Sequence, residues 1–229
     1  MQKVVIVLGM HRSGTSCLAG ALEKAGVYLG EVSTNNPHNL KGNRENSRIM
    51  KLHNDVLEYN NGDWDDPPSY VLWPVHLKKE RDRIISEYKD ALLWGFKDPR
   101  VLLILDGWLE VLTNIFFAAT FRHPALVVES MRKRNQKISI DKCLFLWKFY
   151  NERLLHYQKK YNFPLLSFDL NEVEYKKKFI NLLKNFNLNL CPDGFEFYDI
   201  SLRHHRKIPA LPIPKDVIRV YKKLQKVSI

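Results

Sequence analysis

A three-layer α/β/α domain built on a central, mainly parallel sheet is the fold class this sequence predicts. Three observations carry that expectation. Apolar strand-like runs alternate with helical spacing along the chain, a pattern that puts helices on both faces of a parallel sheet. The first run, Val4-Val5-Ile6-Val7-Leu8, passes straight into the glycine-containing turn Gly9-Met10-His11-Arg12-Ser13-Gly14-Thr15-Ser16 and then a helix. Finally, 229 residues with 45% hydrophobic and 27% charged side chains suit one globular domain, 1–229, with a sizeable core.

The turn matches G-x-x-x-x-G-x-[ST], the spacing of a P-loop, so the fold is expected to be P-loop NTPase-like. Its glycines permit a tight turn, successive backbone N–H groups form an anion-binding nest, and the following helix dipole adds partial positive charge. One position departs from a nucleoside triphosphatase. Thr15 follows Gly14 where the P-loop lysine belongs, and the cation stands inside the loop at Arg12.

The remaining elements follow in order. A helix is expected over 15–25, with Leu18, Ala21, Leu22 and Ala25 on one face and Gly26 as its cap. Residues 31–44, rich in Asn, Gly and Pro, read as a loop, and helical spacing resumes over 45–59. Residues 60–74 are irregular and carry Trp64 and Trp73. A charged helix over 77–88 precedes a strand over 92–96, which ends at Lys97-Asp98-Pro99-Arg100. Helix over 101–112, strand over 114–121 and helix over 124–133, with proline in its first turn, come next. A long amphipathic helix over 141–161, a strand over 165–168 and a lysine-rich helix over 172–185 follow. Prolines then introduce a last helix over 215–226.

The chain carries 36 Lys and Arg against 25 Asp and Glu, a net charge of +11, so a polyanionic partner is expected. Nucleic acid would call for basic and aromatic residues interleaved on one surface, and none is evident. A phosphorylated or sulfated small molecule and an anionic membrane surface remain. Cys17, Cys143 and Cys191 are widely spaced with no C-x-x-C pair, which suits reduced thiols in a cytoplasmic protein. The apolar run at residues 4–8 is committed to the fold and does not read as a signal peptide. No stretch approaches the roughly 20 apolar residues of a membrane span. No His, Cys or carboxylate cluster has metal-ligand spacing, so no metal is expected.

Arg12-Ser13-Gly14-Thr15-Ser16 resembles the 5′-phosphosulfate loop, [KR]-S-G-[TS]-[TS], of sulfotransferases that use 3′-phosphoadenosine 5′-phosphosulfate. In that family the loop holds the 5′-phosphate, and its cation neutralises the oxygen bridging to the sulfuryl group. The resemblance extends to Arg122 at the end of a later strand and Ser130 eight residues on, the pair that binds the 3′-phosphate there. Arg134, one helical turn beyond Ser130, resembles a further arginine of the tyrosylprotein branch. Two other blocks, residues 39–46 and 94–100, are similar to the N-P-K-G-x-x-E-[NH] and W-G-x-K-D-P-R segments of bacterial carbohydrate-type members, with Leu40 in place of the proline. Arg203 in Ser201-Leu202-Arg203-His204 is a weaker match.

The resemblance implies donor binding by Arg12, Ser13, Gly14, Thr15, Ser16, Arg122, Ser130, Arg134 and Arg203, with Glu45, Arg12 and Lys97 as catalytic residues. His11, inside the loop, is expected in the donor site, donating to phosphate, or else contacts the acceptor. Glu45 is the preferred base for the acceptor hydroxyl or amine. It also reads as a first-turn carboxylate facing a helix dipole. Lys97 meets the transferred sulfuryl group or serves as a salt-bridge partner, and Asp98 orients Lys97 or Arg100 or competes as base. His38 and His53 read as solvent or packing residues. The acceptor is expected to be a carbohydrate or glycolipid precursor, shaped by the loops 31–44 and 60–76. A P-loop kinase is the alternative, but it requires a lysine after Gly14 and a Walker-B aspartate. The basic helix 215–226 either docks on the domain or lies on an anionic membrane.

Overall fold

The computed structural model describes residues 2–35, 39, 41–187 and 208–229. Four strands form one parallel sheet: β1 Lys3–Leu8, β2 Leu93–Lys97, β3 Ile115–Phe121 and β4 Leu165–Ser167, in the order β2-β1-β3-β4. The helices are α1 Thr15–Lys24, α2 Ser47–Tyr59, α3 Val75–Glu87, α4 Val101–Ile104, α5 Asp106–Leu109, α6 Pro124–Arg134, α7 Ile140–Tyr161, α8 Glu172–Asn185 and α9 Lys215–Val227.

Strand alternation builds the two core layers. Val4, Ile6 and Leu8 join the larger cluster with Trp94, Phe96, Phe121 and the apolar faces of α2, α6, α7 and α9. Val5 and Val7 join the smaller one with Ala118, Leu166, α1 and α8. The expected three layers are therefore present, and the sheet is parallel throughout the described strands.

This topology positions the site. β1 leads into α1 on one face of the sheet, whereas the neighbouring β3 leads into α6 on the other. The crevice between their carboxyl ends is a topological switch point, where open α/β sheets bind ligands. β3 outruns β1, since Leu8 pairs with Ala119, and Thr120 then bonds the loop by donating from Oγ1 to the Ser13 carbonyl at 3.1 Å.

Several boundaries differ from expectation. The run 101–112 is two short helices flanking Leu105, and residues 101–105 are all buried, so its first half offers no amphipathic period. α2 starts at Ser47, after Asn46, whose side chain caps the Arg48 and Ile49 amides. Glu45 therefore lies outside the helix and is not a first-turn residue. α9 docks on the domain: Val217, Val220 and Leu224 are buried, and Tyr221 packs on Phe121, His123 and Trp147. Just beyond it, Ser228 bridges Leu165, and the Ile229 amide donates to the Leu165 carbonyl at 3.1 Å. Among the described residues no helix is long and apolar enough to cross a membrane.

Candidate active site

The loop after β1 is held by close backbone approach. Gly9 has φ 150°, and a Cβ there would strike the Thr120 carbonyl and the Thr15 methyl group. Gly14 has φ 88° and lies under the Phe168 ring, so only glycine fits without displacing it. Gly14 is the N-cap of α1 and offers no side-chain cap to the start of that helix. By contrast α2, α6, α7 and α8 are all capped by side chains. Thr15 and Ser13 are buried, and the Ser13 hydroxyl has no hydrogen-bond partner among the described residues. Ser16 follows, half-buried, in the first turn of α1.

Arg12, at φ 66°, turns its side chain across the crevice. Its Nε donates to Ser130 Oγ at 2.9 Å. Burial, and then the charges of Arg134 and Arg122, lower the affinity of this guanidinium for its proton. Three cations thus converge on the β1/β3 crevice, as a dianionic ligand requires. Arg122 rests its guanidinium 5.5 Å from the Phe168 ring centre and bonds Asp169 at 3.3 Å. Its backbone is pinned by Trp147, whose indole donates to the Arg122 carbonyl at 3.0 Å. Arg12 and Arg134 have no carboxylate partner among the described residues. Arg203 lies outside the described residues, as do His38 and Cys191.

A second group gathers at the end of β2, on the other side of β1. Lys97, 2% exposed, bonds Glu45 at 2.6 Å. Burial lowers the Lys97 pKa, and Glu45 opposes that shift. Glu45 is fixed from behind by the antiparallel bridge of Val32 with Asn46. Asp98 turns away from Lys97, against one sequence expectation, and accepts from Arg100 Nε at 2.9 and 3.0 Å and from His53 Nδ1 at 2.9 Å. The Trp108 indole donates to His53 Nε2 at 3.0 Å, which leaves the ring proton on Nδ1, aimed at Asp98. Burial alone would raise the Asp98 pKa, but His53 and Arg100 more than offset it and hold the carboxyl below the usual range. His53 is therefore a hydrogen-bonded core residue, and Asp98 an anchor for Arg100.

His11 lies between the two groups, packed on Trp64 and Tyr150 with ring centres 4.9 and 5.8 Å away. Burial, followed by the charges of Arg100, Lys97 and Arg134, lowers its pKa to about 3 even though Asp98 acts in the opposite sense. Its Nε2 is buried with no hydrogen-bond partner among the described residues.

Three solved structures share this architecture. The sulfotransferase domain of the Synechococcus PCC 7002 olefin synthase aligns over 98% of this chain and 94% of its own, at 15% identity and TM-score 0.65. The chain has the fold of a sulfotransferase domain. The sulfotransferase domain of the curacin biosynthetic pathway matches over 98% of both chains at 14% identity and TM-score 0.66. Sulfotransferase STF1 from Mycobacterium tuberculosis H37Rv matches over 99% of this chain and 77% of its own, at 14% identity and TM-score 0.52. No protein-family model and no curated protein matches the sequence.

Within this sulfotransferase fold, the sequence-selected residues fall into two neighbouring sets: Arg12, Arg122, Ser130 and Arg134 at the crevice, and Glu45 with Lys97 beside it. The Asp98–Arg100 bond is one of the alternatives the sequence offered, whereas sequence reasoning missed Asp169, Phe168 and the bridge from Trp108 through His53 to Asp98. No local pattern signals these contacts, because each joins segments far apart in the chain. Asp98 does follow a strand directly, as a Walker-B aspartate would, but its oxygens are taken by Arg100 and His53. Among the described residues no group of three or more His, Cys, Asp or Glu side chains is gathered as a metal site.

Proposed function

We propose that residues 1–229 work as one cytoplasmic sulfotransferase domain that moves a sulfuryl group from 3′-phosphoadenosine 5′-phosphosulfate to a hydroxyl or amine of a carbohydrate-type acceptor. The observation that carries this reading is the gathering of Arg122 and Arg134 around Arg12, which itself bonds Ser130, beside a helix start with no capping side chain. The buried, unpartnered Ser13 hydroxyl and the first-turn amides of α1 fit a phosphate at the loop. Arg122 and Ser130, with Arg134 one turn on, fit a second phosphate across the crevice. When bound, the donor supplies an activated sulfuryl group on a bisphosphate leaving group.

In this reading the chain has three tasks. Gly14, Thr15 and Ser16 present their backbone amides to the 5′-phosphate, with Ser13 beside them, and His11 stands at the acceptor end of the loop. Arg12 sets a positive charge where negative charge grows on the departing oxygen, a form of stabilisation that is strong in a partly dry site. Glu45 takes the proton that the acceptor hydroxyl loses on attack, and Lys97 keeps that carboxylate in place. Arg203 belongs to the donor set on sequence grounds alone.

Thermal denaturation tests the assignment. With a chelator present, 3′-phosphoadenosine 5′-phosphate is expected to raise Tm. Stabilisation only by ATP with magnesium would sink the assignment and favour a kinase.

A further inference from the structure

The geometry points to an oxyanion subsite on the acceptor side of the cleft, with Arg100 as its anchor. We infer that the acceptor carries a carboxylate or phosphate that this guanidinium holds. The inference rests on the sulfotransferase reading and narrows its substrate class.

Arg100 follows the carboxyl end of β2 by three residues, and its side chain is 10% exposed. Its backbone N–H and its Nε are committed to Asp98, and Nη1 donates to Asn54 Oδ1 at 2.7 Å. Nη2 has no partner among the described residues. The guanidinium is planar, so fixing Nε and Nη1 also fixes where Nη2 points. Asp98 is itself locked by His53, and His53 by Trp108. Such a chain of buried supports holds one side chain in one orientation with one edge left open.

That edge shares its surroundings with three other groups, since β1 and β2 pair in parallel through Val7 and Lys97 and bring the segments of His11 and Arg100 to the same end of the sheet. The charge of Arg100 acts on His11, and Glu45 and Tyr150 act on Arg100. His11 adds a buried nitrogen with no partner, and unpaired buried polar atoms are rare enough to need a reason. A ligand oxygen reached by both His11 Nε2 and Arg100 Nη2 supplies it.

The sheet order separates this ligand from the phosphates. β2 lies on the far side of β1 from β3, so Arg100 stands with Glu45 and Lys97, while Arg122 and Ser130 stand on the β3 side. The group held by Arg100 therefore arrives with the hydroxyl that Glu45 deprotonates.

The test uses inorganic phosphate as the probe, titrated into protein saturated with 3′-phosphoadenosine 5′-phosphate and followed by the imidazole NMR signals of His11. Saturable binding is expected in the wild type, weakened at least tenfold in Arg100→Gln. That variant leaves Asp98 with one fewer partner, so the Asp98→Asn/Arg100→Gln pair, which leaves no lone buried charge, is expected to show the same loss. Phosphate binding that is absent, or equal in wild type and variants, overturns the subsite. So does a drop in the preference for the phosphosulfate over the bisphosphate in Arg100→Gln, since Arg100 would then hold the donor's own sulfuryl group. If the bisphosphate does not bind the wild type at all, the sulfotransferase reading falls first and takes this inference with it.

Discussion

Arg12 donates from Nε to the Ser130 hydroxyl at 2.9 Å, joining a loop residue to a helix residue 118 positions away. The sequence assigned these two to opposite ends of one ligand, and the structure makes them neighbours. Loss of the Arg122 guanidinium and the Ser130 hydroxyl, in Arg122→Ala/Ser130→Ala, is expected to remove the preference for adenosine 3′,5′-bisphosphate over adenosine 5′-phosphate. Hydrogen bonds to charged groups contribute about 1.5–3 kcal/mol, so affinity for the bisphosphate is expected to fall about tenfold or more. Calorimetric titration of both nucleotides checks it, and an unchanged ratio rules out this placement of the 3′-phosphate.

Glu45→Gln keeps an acceptor for the Lys97 ammonium but removes the base. Turnover is expected to fall by about two to four orders of magnitude, while binding of the bisphosphate changes little. Wild-type turnover in this variant would eliminate Glu45 from proton transfer. Glu45→Ala is a different experiment. It strands a buried ammonium and is expected to lower unfolding stability by about 3 kcal/mol in urea titrations.

His11 makes stability depend on pH in a definite direction. Its folded pKa, about 3, lies below the ordinary 6.5, so the unfolded chain binds the proton more readily. Stability is therefore lost as pH falls below 6.5, by about 2 kcal/mol at pH 5. The Asp98 carboxyl, held below the usual range, stays ionised across this window and adds no slope there. Urea unfolding at pH 7.5 and pH 5 is expected to show a smaller loss in His11→Gln than in the wild type. Equal losses would contradict the buried, neutral ring.

Gly14→Ala forces a side chain into the Phe168 ring at a φ that only glycine adopts readily. Stability is expected to fall by about 1–3 kcal/mol, with bisphosphate affinity reduced more strongly than in a surface variant such as Lys177→Ala. Retention of full affinity would mean that the loop conformation is not required for the anion.

The sequence revealed most where one element carries the signal alone. α8 falls on 172–185 as its spacing predicts, and the turn at residues 9–16 is legible because its glycines are required by backbone geometry. Arg122 and Ser130 were picked out by the family resemblance, and the structure puts Arg122 directly after β3 and Ser130 within α6. Glu45 was misplaced by two residues because Asn46 is a stronger helix start than a glutamate, and the cap geometry decides the boundary. The Asp98 network stayed hidden for another reason. Lys97 and Arg100 both flank it, and only packing against α2 and α5 determines which cation it bonds.

The bridge from Ser228 to Leu165 also bears on handling. β4 is a three-residue strand at the end of the sheet, and residues 228–229 run along its outer side. Without them, unpaired N–H and C=O groups of β4 would face solvent, a template for strand pairing between molecules. Disrupting the pairing of residues 228–229 with β4 is thus a route to aggregation that leaves every residue of the cleft intact.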